Sequence, residues 1–205
     1  MTPKLEFFFD LSSPWTYLAF TNVQGVLDRT GATIIYRPIL VGGVFNAVNP
    51  SVYAAREGGD NPRFRHSWKV LKDWARLAGV TMNFPNAYHP AKSVNAMRMA
   101  CALEDDQRAL RAFSKAAFEG FIGRGENLDD PDVLERFANA AGLDGAAIRA
   151  ASVSDANKAR LRANTDELIA RGGYGSPTMF VGGDDMYFGN DQLPLVEAAL
   201  QRIEA

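Results

Sequence analysis

Apolar positions along the chain fall into three regimes. KLEFFF at residues 4–9 is a short aromatic-rich run that stops at Asp10, the pattern of a buried strand. Tyr17, Phe20, Val23 and Leu27 then recur at helical spacing, with Ser13 a good N-cap, Pro14 suited to the first helical position and Gly31 a stop. This predicts a helix over 14–30. TIIYRPIL at 33–40 predicts a second strand, and Pro38 places it at a sheet edge or marks its end. Strand, helix and strand in this compass make a βαβ unit with parallel strands and a right-handed crossover.

From about residue 44 to 171 the pattern is helical and shows no convincing strand. Residues 50–63 read as a loop around Gly58-Gly59-Asp60-Asn61-Pro62. Trp68, Leu71, Ala75 and Ala78 share one face of a helix that ends at Gly79, and VTMNFPNAYHP at 80–90 is a connection. Ser93 is expected to cap a long helix with Val94, Met97 and Cys101 on one face. Asp130-Pro131 opens another, with Val133, Leu134, Phe137 and Ala141 inward and Gly142 closing it. Ser154 caps a last helix to Arg171, with Leu161 and Leu168 inward. Strand signals return after the turn cluster at 172–177. TMFV, a hairpin turn at 182–185 and MYF lead to a terminal helix over about 191–203. The order βαβ, helical block, ββα predicts one α/β domain from residues 1–44 and 172–205, with residues 45–171 as an all-helical insertion.

Composition removes several function classes. The chain has 205 residues, 47% hydrophobic and 22% charged, with a formal net charge of -2. That balance offers no electrostatic footprint for nucleic acid or an anionic membrane. No stretch approaches the ~18 apolar residues of a membrane span. The apolar run near the start is too short for a signal peptide, so the cytoplasm is the default location. The single cysteine, Cys101, excludes an internal disulfide, and its apolar neighbours suggest a small core residue. His66 and His89 lack partners at ligand spacing, so no metal site is expected. There is no phosphate loop, no dinucleotide fingerprint and no nucleophile elbow.

The candidate chemistry lies at the two ends. Ser13 stands at a helix start, whose free N–H groups and partial positive charge favour an anion. Capping alone would account for a serine there. The same geometry would also stabilise a ligand thiolate, with the Ser13 hydroxyl as one further donor. Thr16 occupies the place of a resolving cysteine, so neither residue supports disulfide chemistry. Ser176-Pro177 enters a late strand, and proline is where cis peptide bonds occur. Asp191 would cap the last helix.

FDLSSPWTYLA near the start and GSPTMFVGGDDMYFGNDQL near the end together resemble the 2-hydroxychromene-2-carboxylate isomerases and the kappa-class glutathione transferases, within the wider group of thioredoxin-like disulfide oxidases. The resemblance implies a thioredoxin-like domain carrying the helical insertion, with the site in the cleft between them. It implies glutathione as cofactor, with Ser13 holding the thiolate and Ser176-Pro177 pairing with the cysteinyl backbone. Asn190 and Asp191 would receive the γ-glutamyl head, and Asn49 and Arg63 would stand near the glycine end. Arg37 and Trp15 are the candidates for contact with an aromatic substrate. The activity implied is glutathione-dependent isomerisation of 2-hydroxychromene-2-carboxylate, or a fused-ring homologue, to trans-o-hydroxybenzylidenepyruvate in aromatic-compound degradation. The alternatives are a kappa-like transferase and a non-catalytic glutathione-binding protein. Homodimers are frequent in the resembled families, and the sequence itself leaves the oligomeric state open.

Overall fold

Side-chain alternation along the first strand decides how the molecule is layered. The computed structural model describes residues 2–52 and 62–204, and the side chains of residues 63, 64 and 204 lie outside that description. Strand β1 (Lys4–Phe9) sends Leu5, Phe7 and Phe9 to one face of the sheet and Phe8 to the other, and all four are fully buried. Burial on both faces is why the run reads as continuously apolar. The sheet order is β2-β1-β3-β4, with β2 (Thr33–Pro38) parallel to β1. β3 (Thr178–Val181) and β4 (Asp185–Phe188) are antiparallel additions. β2 is an edge strand that ends at Pro38, two residues sooner than the pattern predicts.

Helix α1 (Pro14–Thr30) crosses from β1 to β2 and is closed by Gly31 at φ 62, a left-handed position that favours glycine. No strand interrupts the described residues between β2 and β3. The helices there are α2 (Val41–Val48), α3 (Pro62–Ala78), α4 (Val94–Ala102), α5 (Gln107–Phe118), α6 (Pro131–Ala140), α7 (Gly145–Ser152) and α8 (Asp155–Ala170). A π-helical turn, Glu119–Arg124, extends α5, and a 3₁₀ turn, Asn190–Gln192, precedes α9 (Leu193–Glu204).

Three departures from the sequence pattern have local causes. The long helix expected from Ser93 is two helices, because Asp106 caps a new start by accepting from the N–H groups of Arg108 and Ala109. Ser93 itself does not cap α4. Its hydroxyl donates instead to Asp10 Oδ2 at 2.9 Å. Helix α2 begins Val41-Gly42-Gly43, and that glycine pair conceals it from any propensity reading. The loop expected over 50–63 falls mostly outside the described residues.

One apolar cluster runs from Leu5, Phe7 and Phe9 of β1 through Phe113 and Phe118 of α5 to Leu134 and Phe137 of α6. Tyr36 joins them, its ring 5.2 Å from Phe20 and 5.7 Å from Phe7. The first residue of α5 also closes the open edge of β2. Gln107 Oε1 accepts from Tyr36 N at 2.6 Å, and Gln107 Nε2 donates to the Tyr36 carbonyl at 3.2 Å. On the opposite sheet face, Phe8, Ile39, Val44, Leu168 and Phe180 form a second cluster. Arg171 covers it, 3.7 Å above the Phe180 ring and 3.0 Å from Glu6 Oε2.

Candidate active site

The two end motifs meet. Ser13 has extended backbone angles (φ -94, ψ 119), and its Oγ accepts from Thr16 N at 3.2 Å, so it does cap α1. The same Oγ lies 3.4 Å from the carbonyl of Ser176, to which it donates. The Ser176–Pro177 peptide is cis, a form essentially confined to X–Pro bonds. Thr16 Oγ1 and Ser176 Oγ are 2.8 Å apart, and Asp10 N donates to Ser176 Oγ at 2.9 Å. Residues 166 positions apart are thereby fastened into one loop pair. Thr16 is fully buried in this latch, so its hydroxyl is committed to Ser176.

Asp10 is a site residue that sequence reasoning reads only as a turn signal. It is fully buried, and each carboxylate oxygen accepts twice. Oδ1 takes Ser12 N (2.9 Å) and Ser12 Oγ (2.8 Å), while Oδ2 takes Val41 N (2.9 Å) and Ser93 Oγ (2.9 Å). One carboxylate thus ties the β1–α1 turn to the starts of α2 and α4. Burial raises its pKa above the ordinary value, against the four hydrogen bonds, which lower it.

Three chambers lie in series along this cleft. The central one, about 410 Å³, is lined by Ser12, Ser13, Asn49 and Ser176 among the aromatic rings of Trp15, Phe45, Trp68, Phe84, Tyr174 and Phe188. On one side, across Trp15, Ser176 and Phe188, lies a chamber of about 370 Å³ bounded by Val70, Trp74, Pro177, Gly189, Asn190 and Asp191. On the other side, across Ser12, Val41, Phe45 and His89, lies one of about 650 Å³ that reaches Gly42, Gly43, Asn46 and Lys92.

Ser13, Trp15, Asn49, Ser176, Pro177, Asn190 and Asp191 therefore all border one cleft. Asn190 is 2% exposed; its Oδ1 accepts from Asn22 Nδ2 at 2.8 Å, and its Nδ2 has no hydrogen-bond partner among the described residues. Asp191 does not cap a helix as expected. It belongs to the 3₁₀ turn, its carboxylate is exposed, and it makes no ion pair among the described residues. Gly189 (φ 99) makes room for it, since a Cβ there would stand 2.7 Å from Asp191 Oδ1. Asn49 Nδ2 donates to the Tyr174 carbonyl at 3.3 Å.

One expected contact is placed otherwise, and another falls on a side chain outside the described residues. Arg37 is not at the cleft. Its guanidinium is committed to Glu167, to Asn164 Oδ1 at 3.0 Å and to Glu104 Oε1 at 3.3 Å, on the sheet face covered by α8. The strand period explains this, because Arg37 follows Tyr36 and so points to the opposite face. Arg63 lies in the first turn of α3, with its side chain outside the described residues. Cys101 is fully buried, and burial, with Glu104 nearby, pushes its thiol up to about 12. It is a core residue and no nucleophile. Among the described residues no three His, Cys, Asp or Glu side chains are grouped to hold a metal, and no helix is long and apolar enough to cross a membrane.

A family model described as a DSBA-like thioredoxin domain matches residues 4–201. The chain belongs to the DSBA-like thioredoxin domain family. It is similar to a 2-hydroxychromene-2-carboxylate isomerase of Sphingobium xenophagum, at 29% identity over 98% of this chain and 99% of the relative. It is also similar to Glutathione S-transferase kappa 1 of Caenorhabditis elegans, at 24% identity over 98% of this chain and 92% of the relative. A solved 2-hydroxychromene-2-carboxylate isomerase superposes with a TM-score of 0.77 at 27% identity, covering 98% of this chain and 95% of the other. The resemblance seen in residues 9–19 and 175–193 thus extends over nearly the whole chain. Its serine and threonine at positions 13 and 16 leave no thiol at the start of α1.

Proposed function

We propose that the protein is a glutathione-dependent isomerase of 2-hydroxychromene-2-carboxylate or a fused-ring homologue. The observation that carries this reading is the place of Ser13. It caps α1 in an aromatic-lined chamber whose neighbour ends in an unpartnered Asn190 amide and the Asp191 carboxylate. Those two groups suit the head of a γ-glutamyl peptide, since Asp191 pairs with its ammonium and Asn190 Nδ2 donates to its carboxylate. The thiol then reaches the start of α1, where helix N–H groups and the Ser13 hydroxyl favour the thiolate. The names of the isomerase relatives supply the substrate.

Bound glutathione would supply a thiolate that adds reversibly to the double bond of the ring-opened substrate, leaving it single and free to rotate from cis to trans before the C–S bond breaks and the same thiolate leaves. Ser13 lowers the cost of both thiolate states by holding the sulfur. A kappa-like transferase would share every step up to addition and keep the sulfur on the product, a reading favoured by the kappa relative alone.

The test follows 2-hydroxychromene-2-carboxylate absorbance with and without glutathione, for the wild type and Ser13→Ala. The expected result is a glutathione-dependent rate that falls about ten- to a hundredfold in Ser13→Ala, the range of a lost hydrogen bond to a charged group. The fold should lose only about 1 kcal/mol, the usual cost of an N-cap. Full activity in Ser13→Ala would leave Ser13 a cap and nothing more. No acceleration by the wild type would end the isomerase reading, and sulfur retained on the product would establish the transferase.

A further inference from the structure

The two flanking chambers share no lining residue, and each joins the centre through its own set of side chains. In the glutathione reading, on which the inference rests, one flank holds the γ-glutamyl head and the centre holds the thiol. The glycine arm lies beside Asn49 within the central chamber. The larger flank, about 650 Å³, is then left to the second reactant, and that volume is within the ~300–1,000 Å³ typical of small-molecule pockets.

Its chemistry is selective. The donors on its inner wall are already turned away, because Ser12 Oγ, Val41 N and Ser93 Oγ all point to Asp10. Lys92 is the one charged residue in the lining, and it makes no ion pair among the described residues. The flat walls are Phe45 and the His89 imidazole, which also border the chamber of Ser13. At Gly42 the backbone faces open space, with no atom within 4 Å of where a Cβ would stand.

We infer that this chamber seats the electrophile as an aromatic carboxylate. Its acid group meets the Lys92 ammonium, its ring lies against Phe45 and His89, and its reacting carbon is turned toward the sulfur at Ser13. The arrangement gives the cleft opposite charge at its two ends. Asp191 stands where an ammonium arrives, and Lys92 where a carboxylate does.

The experiment compares 2-hydroxychromene-2-carboxylate with its neutral methyl ester, and measures glutathione binding separately by calorimetry. Lys92→Gln should raise KM for the acid about three- to tenfold, as expected for an exposed charge pair, and leave the ester and the glutathione Kd unchanged. Gly42→Leu places bulk in the chamber without a clash. It should raise KM for acid and ester alike by about tenfold or more, again with the glutathione Kd unchanged. Equal effects of Lys92→Gln on acid and ester overturn the assignment of the carboxylate. A weaker glutathione Kd in Lys92→Gln, with KM for the acid intact, assigns the chamber to the glycine arm instead. If the wild type binds no glutathione, the reading of the whole site falls and this inference with it.

Discussion

At the scale of single residues, the buried Asp10 carboxylate behind the cleft is held by four hydrogen bonds. Its two oxygens each face one backbone N–H, from Ser12 and from Val41, and these cannot turn away as the two serine hydroxyls can. An asparagine would aim its NH₂ at one of them whichever way it turned. Asp10→Asn should therefore cost about 1–3 kcal/mol, the penalty of a buried donor left unpaired, read as a lower midpoint in urea. The cost depends on pH. Because burial raises the folded carboxyl above its unfolded value, the folded state binds more protons across that interval. Its contribution is complete below the unfolded value, about 3.9, and is lost as pH rises through the folded one. The stability gap between wild type and Asp10→Asn should narrow as pH rises through that window. A gap that widened would place the folded carboxyl below its ordinary value. None of this shows in the sequence around Asp10, because its partners Val41 and Ser93 lie 31 and 83 residues away. Ser13, Ser176 and Asn190 were readable because each stands at an element boundary that local chemistry marks. Arg37 misled for a related reason: an arginine at a strand end is visible in sequence, but the three partners that occupy it are not.

Among the elements, those with a strong period and a good cap matched their expected extents. α1, β1, β3 and the helix opening at Asp130-Pro131 needed no tertiary information, while β2 and β4 were placed correctly and differ only at one end. What could not be seen is where helices stop and restart for reasons outside their own residues. The break between α4 and α5 lets Gln107 reach the edge of β2. The π-helical turn after α5 has a comparable cause in packing. A Cβ on Gly120 would stand 2.1 Å from the tip of the Phe137 ring, which presses against bare backbone from α6. Gly120→Ala should destabilise by about 1–3 kcal/mol through overpacking. In a chain of this size that is a fall of roughly 2–12 °C in Tm. Adding Phe137→Leu should give less than the sum of the two losses, because the second change makes room for the first. Strict additivity would mean that the ring is not what excludes the methyl group.

Across the whole molecule, the polar latches run perpendicular to the chain order. Asp10, Ser13 and Thr16 hold Ser176, and Asn22 holds Asn190. Arg171, at the end of α8, binds Glu6 of β1 and the carbonyl of Gly183 in the β3–β4 hairpin. The first and last portions of the sequence are thus joined beside the cleft, while α3 between them supplies apolar walls through Trp68, Leu71 and Trp74. The separation of the two flanking chambers has a consequence for inhibition. Groups seated in the two flanking chambers touch no common lining residue, so a single molecule that reaches both occupies the second at a high effective concentration. On the proposed glutathione reading, a thioether joining glutathione to an aromatic acid should bind more tightly than either half by orders of magnitude. Shortening or lengthening its linker by a few atoms should forfeit most of that gain, because the span across Ser13 sets its reach.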